Sequence, residues 1–188
     1  GPAKTDLRGE CIMADLTFAT PEGQTIDREL LIAYLNTGSK EAPTWSAIGK
    51  RVEDSSAEYD WSKESKTDIF GQVYTTLKKP TITQSFDPCE LDAGDAAQLK
   101  IWNLAIKDQD AQALANLDML LVHLYAGTAD TAAFAERYSS CAVDPTSLGG
   151  EGGGSVGMPI EVTFGGTRTT GTASVSGGTV TFTADDDE

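Results

Sequence analysis

The stretch Asp92–Asp110, DAGDAAQLKIWNLAIKDQD, and the run that follows it, Leu117–Gly127, LDMLLVHLYAG, decide how this chain folds. The first places Leu99, Trp102 and Ile106 three and four residues apart, one face of a helix. Asp95 stands where an N-cap belongs, and Gln98 stands where a capping box needs it. The acidic start and Lys107 near the end both suit the helix dipole. The Ala-rich DAQALAN either extends this helix or forms a short second turn. The second run is apolar on both faces, the pattern of a strand covered on each side, and the helix is its natural cover.

Outward from this pair, the rest of the chain reads as strands. Arg28–Gly38, RELLIAYLNTG, is an apolar run ending in turn residues. The short strand APTWSAIG follows it across a hairpin loop. In SSAEYDWS, Ala57, Tyr59 and Trp61 share one face and Ser56, Glu58, Asp60 and Ser62 the other, a period of two. KESKTD then reads as a polar break, and IFGQVYTTLKKPTITQSFDP resumes strand character, with Pro80 marking a bend or an edge. AAFAERYSSCAV is the next strand. A glycine-rich connection at Gly149–Gly157 leads into three short strands. Gly165–Gly166 and Gly177–Gly178 mark their turns, and the acidic ADDDE closes the chain. Eight or nine strands with one helix, without βαβ alternation, imply a mainly antiparallel β-sandwich or open barrel with one flanking α-helix.

Composition narrows the function. The 188 residues suffice for one domain. A formal net charge of −15 repels nucleic acid and anionic lipid, so neither tight nucleic-acid binding nor membrane binding is expected. No apolar run has the roughly 20 residues needed to span a bilayer, and no secretory signal is read at the start. Gly1–Ile12 reads as the remnant of a cleaved tag and Met13 as the native start, leaving 13–188 as a single domain. Cys11, Cys89 and Cys141 have neither disulfide-framework nor zinc spacing and read as reduced thiols. His123 is the chain's one histidine, and inside an apolar strand it reads as a packed residue with satisfied ring nitrogens. The phosphate-loop signature is absent, GGEGGG leads into a strand rather than a helix, and no acidic run has EF-hand spacing. No catalytic residue, metal ligand or cofactor is assigned, and an acidic-site hydrolase finds no distinguished carboxylate pair.

The segment Leu30–Pro88, LLIAYLNTGSKEAPTWSAIGKRVEDSSAEYDWSKESKTDIFGQVYTTLKKPTITQSFDP, resembles the major tail protein family of long-tailed, non-contractile phages. The order of its features carries the likeness: a Tyr-Leu-Asn strand and hairpin, Trp45 before IGKRVEDSSAEYDW, then SKTDIFG and TTLKKPTITQSFDP. A helix and LLVHLY come next, followed by the ending GGEGGGSVGMPIEVTFGGT…GTASVSGGTVTFT. It spans about Leu30 to Thr183. MADLTFATPEGQTID matches poorly, which leaves the role of that arm open.

The resemblance implies a tail-tube subunit that forms hexameric rings stacked into a hollow conduit for DNA ejection. It implies a fold shared with the inner tubes of contractile injection machines. Its partners would be further copies of itself and other tail proteins, such as the tape measure and tail terminator. Its place would be the virion tail, after synthesis in the host cytoplasm. In the family a long loop after the second strand contacts the neighbouring ring, which maps here to Lys50–Thr76, expected to be mobile in the free subunit. Glu58, Tyr59, Asp60, Trp61, Lys63, Lys66 and Asp68 are the candidate subunit or inter-ring contacts. Alternating charge in EYDWSKESK would set register and discourage wrong pairing. The competing reading is an immunoglobulin-like adhesion or carbohydrate-binding module, drawn from the hairpins of IEVTFGGTRTTGTASVSGGTVTFT.

Overall fold

A computed structural model of the chain describes residues 4–5, 11–12 and 15–185. Most of the expected tag remnant, and the last residues of the acidic tail, lie outside the described residues. Two short strands, β1 (Lys4–Thr5) and β2 (Cys11–Ile12), pair with each other. A 3-10 turn at Arg28–Leu30 leads into β3 (Leu31–Asn36), β4 (Trp45–Ala47), β5 (Ala57–Asp60), β6 (Glu64–Thr67), β7 (Val73–Thr76) and β8 (Thr81–Phe86). Helix α1 (Ala96–Trp102), a π turn at Asn103–Lys107 and the one-turn α2 (Ala111–Leu114) follow. The chain ends in β9 (Leu117–Thr128), β10 (Ala132–Pro145), β11 (Ile160–Phe164), β12 (Arg168–Ser176) and β13 (Thr179–Ala184).

The fold is antiparallel β with a flanking helix, and its sheets stay open. The strands run β4-β3-β9-β10-β11-β8-β5, with β12 and β13 branching from β10. The branch comes from one irregularity. The first half of β10 pairs with β12 over Ala133–Tyr138, and its last residues pair with β11 over Ala142–Pro145. Between Tyr138 and Cys141 the register with β9 shifts. A bulge of this kind bends a strand and lets it serve two sheets. The β11–β12 turn at this corner needs glycine. Gly166 has φ +76, and a Cβ there would stand 2.6 Å from the main-chain nitrogen of Ser140.

Two apolar cores follow from the alternation of β9. Met119 and Leu121 face the space between the two sheets, with Leu35, Phe86, Ile101, Val143, Met158, Ile160, Val162 and Phe164. Leu120, Val122 and Leu124 face the other side, with Tyr34, Trp45, Ala133, Ala135, Ala173 and Val180. The strand is thus covered on both faces, as its sequence implies. Residues on both sides of the glycine-rich run contribute to the first core. That run closes on itself: Gly149 and Gly157 exchange main-chain hydrogen bonds at 3.1 and 2.7 Å, and Thr146 N–H donates to the Pro159 carbonyl at 2.9 Å.

Three details correct the reading of the helix and strands. The buried face of α1 is Ala97, Gln98 and Ile101, whereas Leu99 is 59% exposed and Trp102 and Ile106 are half-buried. The π turn adds a residue and rotates the later positions away from the face that a regular 3.6 period assigns. Half-buried Trp102 packs against the first core. Asp95 caps α1 by accepting the Gln98 N–H at 3.0 Å. The Gln98 amide, however, reaches back to the Asp92 N–H at 2.8 Å and the Glu90 carbonyl at 2.8 Å, not to the cap residue. Between Leu31 and Ala184 there are eleven strands rather than eight or nine, in part because the stretch KESKTD contains strand β6.

Candidate assembly site

Lys50–Thr76 is not one unit. Its first part is fixed to the body: Lys50 and Arg51 pair with Asp92 at 3.0 and 3.5 Å, and Ser55 is buried, donating to the Ser85 carbonyl at 2.7 Å. Strand β5 belongs to the main sheet, paired with β8 from Ala57↔Gln84 to Asp60↔Thr81. Only residues 61–79 leave the body. There β6 and β7 pair with each other alone, from Glu64↔Thr76 to Thr67↔Val73. The Lys78 N–H donates to the Trp61 carbonyl at 2.8 Å and closes the base. At about 3.4 Å per residue the ribbon reaches roughly 25 Å from Trp61 to its tip.

The tip is a type I turn followed by a left-handed glycine. The Gly71 N–H donates to the Asp68 carbonyl at 3.1 Å, and Gly71 has φ +80. The Asp68 carboxylate accepts the N–H of Phe70 at 2.8 Å and of Gln72 at 2.9 Å. The hydrogen bond from Gln72, ahead of that from Phe70, holds the Asp68 carboxyl below its ordinary value. The turn throws Ile69 and Phe70 into solvent, 94% and 84% exposed. Val73, Tyr74 and Leu77 are exposed as well.

Of the residues singled out in the sequence, Tyr59 and Trp61 come together, their rings stacked at 6.0 Å and 17° at the arm's root. Glu58 and Asp60 lie on the exposed β5 edge, and Asp60 accepts the Ser62 N–H at 3.0 Å. Lys63 and Lys66 stand on the arm, and Asp68 builds its tip. Sequence reasoning passed over Ile69 and Phe70, whose signal was an apolar pair directly before a glycine. Residues 61–79 carry Glu64 and Asp68 against Lys63, Lys66, Lys78 and Lys79, so the arm is net positive on a chain of net charge −15. Among the described residues Lys63, Lys66, Lys78 and Lys79 form no ion pair. An exposed two-stranded ribbon with apolar residues at its end gains little from its own body, and its apolar area is free for another surface.

The chemistry elsewhere is that of a packed body. His123 lies on β9 with both ring nitrogens bonded: Nδ1 to the Tyr125 hydroxyl and Nε2 to Glu136 Oε2, each at 2.7 Å. Burial pushes the Cys89 and Cys141 thiols up to about 11. A cleft of about 1200 Å³ runs along β3 and β4 past Trp45 and Phe86, and neither histidine nor cysteine lines it. Among the described residues no group of three His, Cys, Asp or Glu side chains is placed to hold a metal ion, and no helix is long and apolar enough to cross a membrane.

No family model matches the chain, and no curated protein does. Solved structures are similar to it at low identity. One is a chain in the sheath/tube terminator of an extracellular contractile injection system, PVC, in its extended state. It is 13% identical with a TM-score of 0.46, covering 80% of this chain and 99% of that one. Another is a chain in the sheath-tube complex of PVC, 13% identical at 0.45, covering 79% and 93%. A third is a chain in the anti-feeding prophage cap, 13% identical at 0.45, covering 82% and 95%.

Proposed function

We propose that this chain is a structural subunit of a phage tail tube, assembling as hexameric rings whose arms bridge to the next ring of a hollow DNA conduit. The observation that carries the reading is the arm at residues 61–79: paired only with itself, net positive on an acidic body, and ending in exposed Ile69 and Phe70. The order of sequence features shared with the major tail proteins supports it. The physics favours a self-partner. Open antiparallel sheets leave strand edges at β4, β5 and β13, and such edges are ready templates for a neighbouring chain. A closed ring needs two different complementary surfaces on each copy, and edges plus an arm provide them. A negative bore would give passing DNA no counterion-release gain, so DNA would slide. Tape measure and tail terminator would be its partners in the virion tail, after synthesis in the host cytoplasm.

The test is direct. The purified chain is raised in concentration at low and at high salt and followed by light scattering and negative-stain microscopy. Rings or tubes are expected, favoured by salt, because bodies of net charge −15 repel each other and about 0.15 M salt screens beyond about 8 Å. A chain that stays monomeric under all conditions overturns the reading.

A further inference from the structure

The two ends of the strand path line one cleft. Tyr34 and Trp45 come from β3 and β4 at one end, Gln84 and Phe86 from β8 at the other, and Ser55 leads into β5. The cleft is thus the seam at which the open sheets do not close. Its volume of about 1200 Å³ exceeds the roughly 300–1,000 Å³ of a small-molecule site and leaves room for a chain segment. Half-buried Ile32, Ile48 and Val52 stand over the buried rings of Trp45 and Phe86, so its walls are apolar. Its rim is acidic. Asp27, Glu29 and Glu53 are exposed there and form no ion pair among the described residues. The rim's cations are already engaged: Arg28 donates to the Leu31 and Ser55 carbonyls, and Lys50 pairs with Asp92.

Cleft and arm stand at opposite ends of β5. Ala57 pairs with Gln84 beside the cleft, whereas Asp60 pairs with Thr81 and the arm departs at Trp61. Neither residues 57–61 nor residues 81–83 line the cleft. At about 3.4 Å per residue, up to roughly 20 Å separates Ser55 from Trp61. The tip does not fill its own cleft, since Ile69 and Phe70 lie in solvent. The arm has the complementary chemistry: an apolar tip, and Lys63, Lys66, Lys78 and Lys79 against two carboxylates. A second cavity, about 380 Å³ beside Lys40, Asp118 and Arg137, carries more cations than anions and would repel such an arm. Exposed charge pairs add little affinity, so the lysines choose the site and apolar burial holds the tip.

We propose, resting on the reading of the arm as a contact between copies, that this cleft is the arm's receptor: Ile69 and Phe70 of one copy seat against Ile48 and Val52 of a second copy, with Lys63 and Lys66 facing its Glu29 and Glu53. The contact joins two different surfaces at opposite ends of one strand. A contact of that kind repeats head to tail from copy to copy instead of closing as a two-fold pair.

Two full-length variants test it by NMR titration. A nitrogen-15-labelled receptor carries Ile69→Ser and Phe70→Ser, so it keeps the cleft and lacks the tip. An unlabelled donor carries Ala47→Arg at an exposed lining position, so it keeps the tip and has a blocked cleft. If Ala47→Arg does not fold, Glu29→Lys with Glu53→Lys replaces it. The donor is expected to shift or broaden the Trp45 indole and the Ile48 and Val52 amides of the receptor. A donor that also carries Ile69→Ser and Phe70→Ser should leave them unmoved, and Lys63→Glu with Lys66→Glu in the donor should weaken binding about tenfold. A receptor unmoved at about 1 mM donor, shifts confined to residues outside the cleft, or equal shifts with the tipless donor would overturn the proposal. An unmoved receptor beside a parent chain that still forms tubes keeps the tube and seats the tip elsewhere. A responding cleft in a chain that forms neither rings nor tubes keeps the contact and removes the tube.

Discussion

Asp68 holds Phe70 from two residues away: its carboxylate accepts the Phe70 main-chain N–H at 2.8 Å in the turn that presents the exposed Phe70 ring at the arm's tip. The same oxygen accepts the Gln72 N–H at 2.9 Å, so one side chain shapes the whole tip. Asp68→Ala should speed amide exchange at Phe70 and Gln72 and leave the melting temperature of the body unchanged. Acid should act likewise. The folded carboxyl lies below its unfolded value, so its contribution is present above the unfolded value and is lost as pH falls through the folded one. Unaltered exchange at both amides in Asp68→Ala would show that the turn is held by its main chain alone.

Ile69 and Phe70 contribute no packing to their own body, so replacing both with Ser should leave monomer stability within about 0.5 kcal/mol. If they seat in another copy, each loses about 1.5–3 kcal/mol of burial there. Sedimentation should then show the double variant failing to form stacked assemblies at concentrations where the parent chain forms them. Equal assembly by both proteins would remove the tip from the contact.

Neighbouring helix positions separate core from surface. Ile101 is 1% exposed and Leu99 is 59% exposed. Ile101→Ala should cost about 2–5 kcal/mol in denaturant melts, and Leu99→Ala no more than about 0.5 kcal/mol. Similar costs for the two would mean that α1 does not bury the face that carries Ile101.

The strands after the glycine-rich run complete the first core with Ile160, Val162 and Phe164. We expect a chain ending near Gly153 to aggregate or lose its cooperative melt, because removing β11 from between β8 and β10 opens both strand edges and uncovers the first core. A soluble truncation melting near the full chain would make these strands a separate appendage.

Cys89 and Cys141 are buried, with thiols raised to about 11. Thiolate is the reactive form, so both should resist a thiol reagent at neutral pH in the folded chain and react on unfolding. Rapid labelling in the native state would show that the loop after β8, for Cys89, or strand β10, for Cys141, opens.

Periodicity by itself determined the strand β9 and the capped start of α1. A residue pattern of two or 3.6 records which faces meet water, and Leu117–Gly127 has none that do. It also determined the turns at Gly165–Gly166 and Gly177–Gly178, because left-handed main chain selects glycine locally. What only the tertiary structure decided depends on distant partners. KESKTD looks like a break, since a strand exposed on both faces has no apolar alternation to display, and only its pairing with Val73–Thr76 makes it β6. The buried face of α1 is set by where the helix lies on the first core, which buries Ala97, Gln98 and Ile101 and leaves Leu99 in solvent, and the π turn at Asn103–Lys107 alters only the positions after it. The meeting of His123, Glu136, Tyr125 and Arg168 was invisible for the same reason: β9, β10 and β12 bring together residues up to 45 positions apart, as the partner registers show. No spacing along the chain encodes which strand edges will lie side by side.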